Sequence, residues 1–310
     1  MVKKIRNYNN FNILEKDKNS ILLIGNFDGL HLGHRKLFNL AKRYKQKYKL
    51  KIGVVTFEPM PKMYFNKSIK NFRISNLEQK NEILKNLGID FVITKKFDKK
   101  FSKIKSYSFI KEILNKSLKA KYIFVSNNFR FGNKREGDVK LLIKSEKIFN
   151  FKIIKPKPLI NKKNKIISSS LIRKLLTNGK LNEANKLLKR YWAVNGIVEK
   201  GRQQGKKIGF PTCNIDIKDY IIAMPGVYAV RINLKGKKKF LKGIANLGYR
   251  PTFKQKKILL EVHIFNFSGN LYNKPLIVKF VKFIRKEKKF KNVEELKKQI
   301  KSDLKVAKIN

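Results

Sequence analysis

The stretch from Ile21 to Leu37, ILLIGNFDGLHLGHRKL, decides how the first part of this chain folds. Its four leading apolar residues have the length and β-branched character of a buried strand, which stops at Gly25. A polar turn from Asn26 to Gly29 follows, and apolar residues then recur at helical spacing. This order is typical of an anion site, because the first turn of a helix presents unpaired N–H groups and a partial positive charge.

Two histidines, His31 and His34, stand three residues apart at the predicted helix start. They project from nearly the same face and can donate hydrogen bonds to phosphate oxygens whose charge grows as a phosphoanhydride breaks. Gly29 and Gly33 leave room for a nucleotide against the backbone. Two other interpretations are half of a zinc site and histidines that only pack. Zinc needs further Cys or His ligands, but the chain has only one Cys and one other His, both more than 150 residues away, and packing does not explain the glycine spacing.

Length and composition restrict the class of protein. The chain has 310 residues, enough for two domains with separate cores. It contains no apolar run of membrane-spanning length, and its N-terminus, MVKKIRNYNNF, lacks the apolar segment of a signal peptide. The single cysteine, Cys213, excludes an internal disulfide and agrees with a reducing compartment. We therefore expect a cytoplasmic protein without membrane contact.

The formal net charge of +54 would ordinarily suggest a nucleic-acid partner. The lysines, however, are spread over the whole length among Ile, Asn and Phe, as an adenine- and thymine-biased genome would distribute them. We expect no specific nucleic-acid partner, only weak, salt-dependent adhesion to RNA and at most weak self-association.

Short apolar runs alternate with amphipathic stretches in the first half. This alternation predicts βαβ units and a Rossmann-like α/β domain with a doubly wound parallel sheet, whose ligands bind at the carboxyl ends of the strands. The predicted strands start at Ile21, Ile52, Phe91, Tyr122 and Phe151, and the predicted helices cover 35–48, 77–87, 107–114 and 139–147.

The pattern changes after a short predicted helix over 181–188. Strand signals with turns between them then predict an antiparallel β-barrel. A last helix is expected from Asn292 to about Ala307, with Glu295 in the position of a capping box. The predicted domains are residues 1–185 and 186–310.

Two further polar segments in the first half are candidates for ligand binding. The first contains Asn128, Phe129 and Arg135 after the fourth strand, although its phenylalanines could equally pack in the core. The second is Ser168-Ser169-Ser170, with Arg173 one helical turn on. Serines at a helix start can be simple N-caps. Together with a guanidinium, however, they can bind phosphate, so the segment and the histidines would form a two-sided phosphate clamp.

The loops of the second half also carry candidates. Gly201, Gly205 and Gly209 precede Phe210-Pro211-Thr212-Cys213-Asn214, and the Walker pattern GK[ST] is absent at the proper spacing. These glycines permit close approach of backbone to phosphate, and the Thr212 hydroxyl with the Asn214 carbonyl oxygen could complete a Mg²⁺ shell partly filled by ATP. Glu261 lies inside an otherwise apolar strand. Burying a lone carboxylate costs free energy, so this side chain faces either a binding site or water at the edge of the sheet.

These motifs resemble one family in their order along nearly the whole chain. GNFDGLHLGH is similar to the nucleotide-binding signature of the bifunctional riboflavin kinase/FMN adenylyltransferases, the bacterial FAD synthetases, and ISSSLIR resembles their second phosphate motif. GKKIGFPTCN and the LEVH strand resemble their kinase signatures. The chain departs from the family pattern at Met60, Ser126 and Asn127 in the first half, and at Lys206 and Cys213 in the second.

The resemblance implies an enzyme that phosphorylates riboflavin to FMN with MgATP and then adenylylates FMN to FAD with release of pyrophosphate. It implies Glu261 as general base of the kinase, and His31, His34 and Arg173 as catalytic groups of the adenylylating site. The implied nucleotide- and flavin-binding residues are Gly25, Asn26, Phe27, Asp28, Gly29, Gly33, Asn128, Phe129, Arg135, Ser168, Ser169, Ser170, Gly201, Gly205, Gly209, Pro211 and Arg285.

Two alternatives remain at this stage. One is an enzyme that retains only the riboflavin kinase, because the departures at Met60, Ser126 and Asn127 all fall in the adenylylating half. The other, favoured by charge alone, is a basic RNA-binding protein on this scaffold.

Overall fold

The computed structural model describes residues 5–201, 205, 208–234, 239–251 and 256–309, and the chain divides into two compact units. Unit 1 comprises Met1–Lys70 and Leu77–Ser168, and unit 2 comprises Asn71–Asn76 and Ser169–Asn310. Lys206 of the predicted kinase loop lies outside the described residues.

Unit 1 contains a six-stranded sheet in the order β1-β4-β3-β2-β5-β8, whose neighbours are all parallel. Its strands are β1 (Arg6–Tyr8), β2 (Ile21–Ile24), β3 (Ile52–Glu58), β4 (Phe91–Lys96), β5 (Tyr122–Phe124) and β8 (Lys152–Ile154), and a separate hairpin pairs β6 (Arg130–Phe131) with β7 (Gly137–Asp138). The predicted parallel sheet is confirmed. Strand β1 was not predicted, because three residues reading Arg-Asn-Tyr carry no apolar pattern.

Helices pack on both faces of this sheet. Along β2, Ile21 and Leu23 belong to one apolar cluster with Phe38, whereas Leu22 and Ile24 belong to another with Ile110. The helices are α1 (Leu32–Tyr48), α2 (Pro61–Phe65), α3 (Leu77–Asn86), α4 (Lys99–Ser102), α5 (Ser106–Ser108), a π-helical segment (Phe109–Ser117), α6 (Val139–Lys144) and α7 (Glu146–Phe149). Alternate side chains of the central strand thus enter two cores, as a doubly wound sheet requires.

Strand β2 occupies the point where the strand order reverses. After β2 the chain continues to β3 and β4 on one side, and later returns to β5 and β8 on the other. In open parallel sheets the crevice for a ligand lies outside the carboxyl end of the strand at such a point. The turn that follows β2 is therefore positioned to bind one.

Unit 2 contains a closed antiparallel barrel in the order β10-β13-β12-β11-β14-β9, which confirms the predicted barrel. Its strands are β9 (Trp192–Glu199), β10 (Cys213–Asp216), β11 (Gly226–Leu234), β12 (Leu241–Pro251), β13 (Lys256–Ile264) and β14 (Pro275–Lys286). The predicted C-terminal helix is also confirmed and spans Val293–Ile309. The Asn292 Oδ1 accepts the Glu295 backbone N–H at 2.9 Å, and the Glu295 carboxylate accepts the Lys291 N–H at 3.2 Å.

Helices α8 (Ser169–Thr177) and α9 (Leu181–Leu188) belong to the core of unit 2. Ile172, Leu176 and Leu188 are buried in one cluster with Trp192 of the barrel, whose indole N–H donates to the Ile74 carbonyl at 3.0 Å. The structure thus groups both helices with the barrel, whereas the sequence-based division assigned residues 169–185 to the first domain. The physical reason is that their apolar faces are buried against barrel residues.

Candidate functional site

The turn after β2 has a backbone that few residues adopt. Phe27, Gly29 and Leu30 have φ values of 47°, 78° and 43°, in the left-handed region. The Phe27 ring is buried and packs edge-on against Phe38 at a centroid distance of 5.2 Å. The turn is therefore fixed from inside by an aromatic side chain, and Asp28 is buried beside it with 3% exposure.

His31 is the N-cap of α1. Its Nδ1 accepts the backbone N–H of His34 at 3.4 Å, and the two imidazole rings stack at 3.8 Å between centroids. Because Nδ1 accepts, the neutral ring carries its proton on Nε2, which can donate to an anion. The predicted convergence of the two histidines at a helix start is present in the structure.

His34 is held as a neutral imidazole. Burial, then electrostatic interaction with His31 and with the Lys80 ammonium group, lowers the pKa of His34 well below its ordinary value. Its Nδ1 is buried and has no hydrogen-bond partner among the described residues, and the same holds for the Asn26 Oδ1. Both atoms border the turn that follows β2, so both can serve a ligand there.

Gly33 explains why the motif requires a glycine between its histidines. A Cβ at this position would lie 2.7 Å from the Ile167 carbonyl oxygen and 3.1 Å from the His31 ring. The loop that ends at Ser168 therefore packs directly against the first turn of α1. Gly25 is also close to a neighbour, since its Cβ would be 3.3 Å from the Phe27 ring.

The remaining serines and Arg173 lie in unit 2, where Ser169 and Ser170 open α8. The Arg173 Nε donates to the Phe72 carbonyl at 2.8 Å, and its guanidinium lies over the Phe72 ring at 3.6 Å. The two-sided clamp stays a prediction, since it joins residues from both units.

The loop after β5 exposes Asn128 and Arg135 to solvent. The Ser126 hydroxyl donates to the Asn128 Oδ1 at 2.9 Å, an interaction that a glycine at position 126 could not make. Phe129 stacks on Phe131 at 5.6 Å and packs against the core. The bond from Ser126 leaves the Asn128 amide group as a donor toward any ligand.

In unit 2, two glycines lie against the predicted metal ligands. A Cβ on Gly201 would overlap the Asn214 amide and lie 2.9 Å from its Cγ, and a Cβ on Gly205 would lie 3.2 Å from the Thr212 Oγ1. Asn214 is 7% exposed, and its Oδ1 is buried without a hydrogen-bond partner among the described residues. Among the described residues, the Asn214 Oδ1 is thus a buried acceptor without a donor, two residues from the exposed Thr212 hydroxyl.

Glu261 is the cross-strand neighbour of Asn214. The register of β10 and β13 pairs these two residues, and the register of β12 and β13 pairs Glu261 with Asn246. Residues directly opposite on neighbouring strands project from the same face. Their neighbours Leu260 and Val262 enter the barrel core, so this polar row lies on the outer face.

Pro211, Gly209 and Arg285 are the remaining predicted residues of unit 2. The His263 Nδ1 lies 2.8 Å from the Pro211 carbonyl oxygen and ties the Thr212 loop to β13, while Gly209 has a φ of 87°. Arg285 is engaged with the C-terminal helix, because its Nε and Nη2 donate to the Asp303 carboxylate at 2.8–3.0 Å. Sequence reasoning missed that ion pair, as nothing in the pattern links Arg285 to a helix residue.

Gly201→Ala should lower the riboflavin kinase activity that the family resemblance implies by about 10–100-fold, because the added methyl group displaces the Asn214 amide. Conversion of riboflavin to FMN measures it. Lys200→Ala, at the exposed neighbouring position, is the matched control and should retain the wild-type rate. Full kinase activity in Gly201→Ala would contradict the close packing of Gly201 against Asn214.

The part of the chain that the structure describes was searched for metal-binding clusters and for membrane-spanning helices. It contains no group of three or more His, Cys, Asp or Glu side chains arranged to hold a metal ion. Among the same residues, no helix is long and apolar enough to span a membrane.

Comparison with known proteins identifies both halves. The family model for FAD synthetase matches residues 13–171, and the family model for riboflavin kinase matches residues 188–310. A bifunctional riboflavin kinase/FMN adenylyltransferase of Buchnera aphidicola subsp. Schizaphis graminum is 38% identical over 299 residues, covering 96% of each chain. The protein of that name in Escherichia coli K12 is 36% identical and covers 91% of this chain and 90% of its own.

The fold has also been solved before. A crystal structure described as a macrolide-efflux protein from Streptococcus pneumoniae superposes with a TM-score of 0.85 at 27% identity, covering 99% of each chain. The efflux role is part of the description of that protein and is not assigned to this chain. By both family models and by relatives matched over nearly their full length, this chain belongs to the bifunctional riboflavin kinase/FMN adenylyltransferases, the FAD synthetases.

Proposed function

We propose that the two activities of this family are divided between the two units, with ATP as co-substrate of both. The barrel of unit 2 phosphorylates riboflavin to FMN. Unit 1, which ends at Ser168, transfers AMP from a second ATP to the FMN phosphate and releases pyrophosphate. The observation that carries this proposal is the polar row of the barrel, in which Asn214 pairs directly with Glu261.

The kinase site fits a Mg²⁺ ion. The donors are the Asn214 Oδ1, which lacks a partner among the described residues, and the exposed Thr212 hydroxyl two residues earlier. Neutral oxygen donors suit Mg²⁺ when ATP phosphates and water complete the shell. Bound there, the ion would neutralise charge on the transferring phosphoryl group. Gly201 and Gly205 keep side chains out of the space beside both donors.

Glu261 is proposed as the general base of the kinase. Its place opposite Asn214 puts a carboxylate beside the proposed metal ligand, where it can accept the proton of a ribityl hydroxyl as that oxygen attacks the γ-phosphate. Asn246, opposite Glu261 on β12, adds an amide that can orient the same hydroxyl.

Adenylyl transfer is proposed to proceed without a covalent enzyme intermediate. The Nε2–H of His31 and the N-terminus of α1 stabilise negative charge on the ATP phosphates as the anhydride breaks, and the stacked His34 holds His31 in place. Ser168, Ser169 and Arg173 would bind phosphate oxygens, and Asn128, oriented by Ser126, would bind nucleotide or flavin. We also propose a cytoplasmic location, which the single cysteine supports.

A two-feed experiment tests this function. The purified full chain is incubated with ATP and Mg²⁺ and either riboflavin or FMN, and the flavins are separated by chromatography. FAD from both feeds is expected. FMN that accumulates and is never adenylylated would mean that only the kinase is retained, with Met60, Ser126 and Asn127 as the first positions to revert. If neither feed reacts, the function is refuted, and RNA binding at increasing salt becomes the next measurement.

A further inference from the structure

Helix α3 carries a lysine that the sequence gives no reason to single out. Lys80 is 1% exposed and is among the largest fully buried side chains of the described chain, whereas Lys85 on the same helix is exposed. A buried ammonium group is costly unless it is hydrogen-bonded, so it is retained only where it contributes something. Its position next to the adenylylating turn indicates what that contribution is.

The Lys80 ammonium reaches that turn through a buried threonine. Its Nζ donates to the Thr56 Oγ1 at 3.2 Å, and the Thr56 hydroxyl donates to the Asn26 backbone carbonyl at 3.4 Å. We call these two hydrogen bonds, from Lys80 to Thr56 and from Thr56 to Asn26, the relay. Their direction is fixed, because an ammonium group can only donate and the hydroxyl hydrogen is then left for the carbonyl. Thr56 is fully buried at the carboxyl end of β3, beside the switch-point strand.

The same ammonium group acts on His34. The groups whose charges bear on this imidazole are His31 of the same helix start and Lys80 of α3, and both add to burial in lowering the pKa of His34. The Asn26 Oδ1 and the His34 Nδ1, which border the turn, lack partners among the described residues. Lys80 is therefore linked to both residues that the site leaves available to a ligand, to Asn26 through Thr56 and to His34 through its charge.

We infer that Lys80 is a positioning residue of the adenylylating site, which fixes the Asn26 turn through Thr56 and supplies a buried positive charge to the site. This inference rests on the proposed adenylyl transfer in unit 1. The fixed charge stabilises the anionic phosphates of ATP and FMN in the site relative to water. It does so in a place where no solvent screens it. The relay holds the Asn26 amide in a fixed position relative to the first turn of α1.

Lys80→Met tests this, because methionine keeps most of the buried stem and removes the charge. Adenylylation of FMN should fall by roughly 10–100-fold in kcat/KM for ATP, while phosphorylation of riboflavin by the same chain stays at the wild-type rate. Lys85→Met, on the exposed face of α3, is the matched control and should leave both rates unchanged.

A direct readout distinguishes a fixed charge from a merely structural lysine. The chain has three histidines, so the imidazole resonances can be followed by NMR as pH is varied. In Lys80→Met the pKa of His34 should rise toward its ordinary value, because one repelling charge is removed. An unchanged His34 titration, or an unchanged adenylylation rate in a folded variant, overturns the inference.

A pair of threonine variants covers the case in which Lys80→Met does not fold. Thr56→Val removes the hydroxyl at nearly constant volume, and Thr56→Ser retains it. Adenylylation should fall about 3–10-fold in Thr56→Val relative to Thr56→Ser, and equal rates in the two would refute the relay. Wild-type protein that makes no FAD from FMN would instead refute the proposed function, which keeps the two failures apart.

Discussion

Replacing His31 by alanine should lower FMN adenylylation by about 10²–10³-fold, while riboflavin kinase activity is retained. The reason lies in the tautomer that the structure imposes. Because the His31 Nδ1 accepts the His34 backbone N–H, its Nε2–H is left to stabilise charge on the breaking phosphoanhydride. Chromatography of the products from FMN and from riboflavin measures both activities in one preparation, so the kinase reports whether the variant is folded in unit 2.

Alanine also removes the N-cap of α1, which costs about 1 kcal/mol of stability. His31→Asn separates the two effects, because asparagine caps helices well but lacks the imidazole Nε2–H. We expect His31→Asn to recover the thermal stability of the wild type without recovering its adenylylation rate. If asparagine restores catalysis as well, His31 acts only as a cap. Equal loss of both activities in His31→Ala would count against assigning adenylylation to unit 1.

Glu261→Gln should have the opposite selectivity, with a loss of about 10²–10⁴-fold in riboflavin kinase activity and normal adenylylation of supplied FMN. Glutamine preserves the size of the side chain and its place opposite Asn214, but it cannot accept the ribityl proton. The measurement is the rate of FMN formation at saturating riboflavin and MgATP, where a loss in kcat rather than KM identifies a chemical role.

Glu294→Gln, an exposed position in the C-terminal helix, removes the same charge away from the site and should leave the kinase unchanged. A kinase rate in Glu261→Gln within a few-fold of the wild type would remove Glu261 as the base. The kinase site would then have to act through Asn214 and Thr212 without a base from β13.

Strands and helices could be predicted from the sequence wherever apolar residues recur at a regular spacing. Strand β2 and helix α1 were predicted correctly, because an apolar run that ends at Gly25 and a subsequent helical repeat leave little choice of structure. Five of the six barrel strands were predicted for the same reason, but β10, whose residues were assigned to a loop, was missed. Strand β1 was missed, because its pairing with β4 is specified by the neighbouring strand and not by its own residues.

The domain boundary shows the limit of such patterns. The change from helical to strand patterns after the predicted helix over 181–188 suggested a division after residue 185. In the structure, α8 and α9 bury Ile172, Leu176 and Leu188 in the core of the barrel unit. An amphipathic helix reveals that it has an apolar face but not which core that face joins.

The sequence by itself determined which residue types the sites contain: histidines at a helix start, glycines before a threonine and an asparagine, and a glutamate in an apolar strand. The tertiary structure decided which of them meet. Glu261 and Asn214 are adjacent only through the register of β10 and β13. Lys80, on a polar helix, becomes a buried group only because α3 packs it toward Thr56. The physical reason is that periodicity is a property of neighbours in the chain, whereas a site depends on distances fixed by strand register and packing between distant segments.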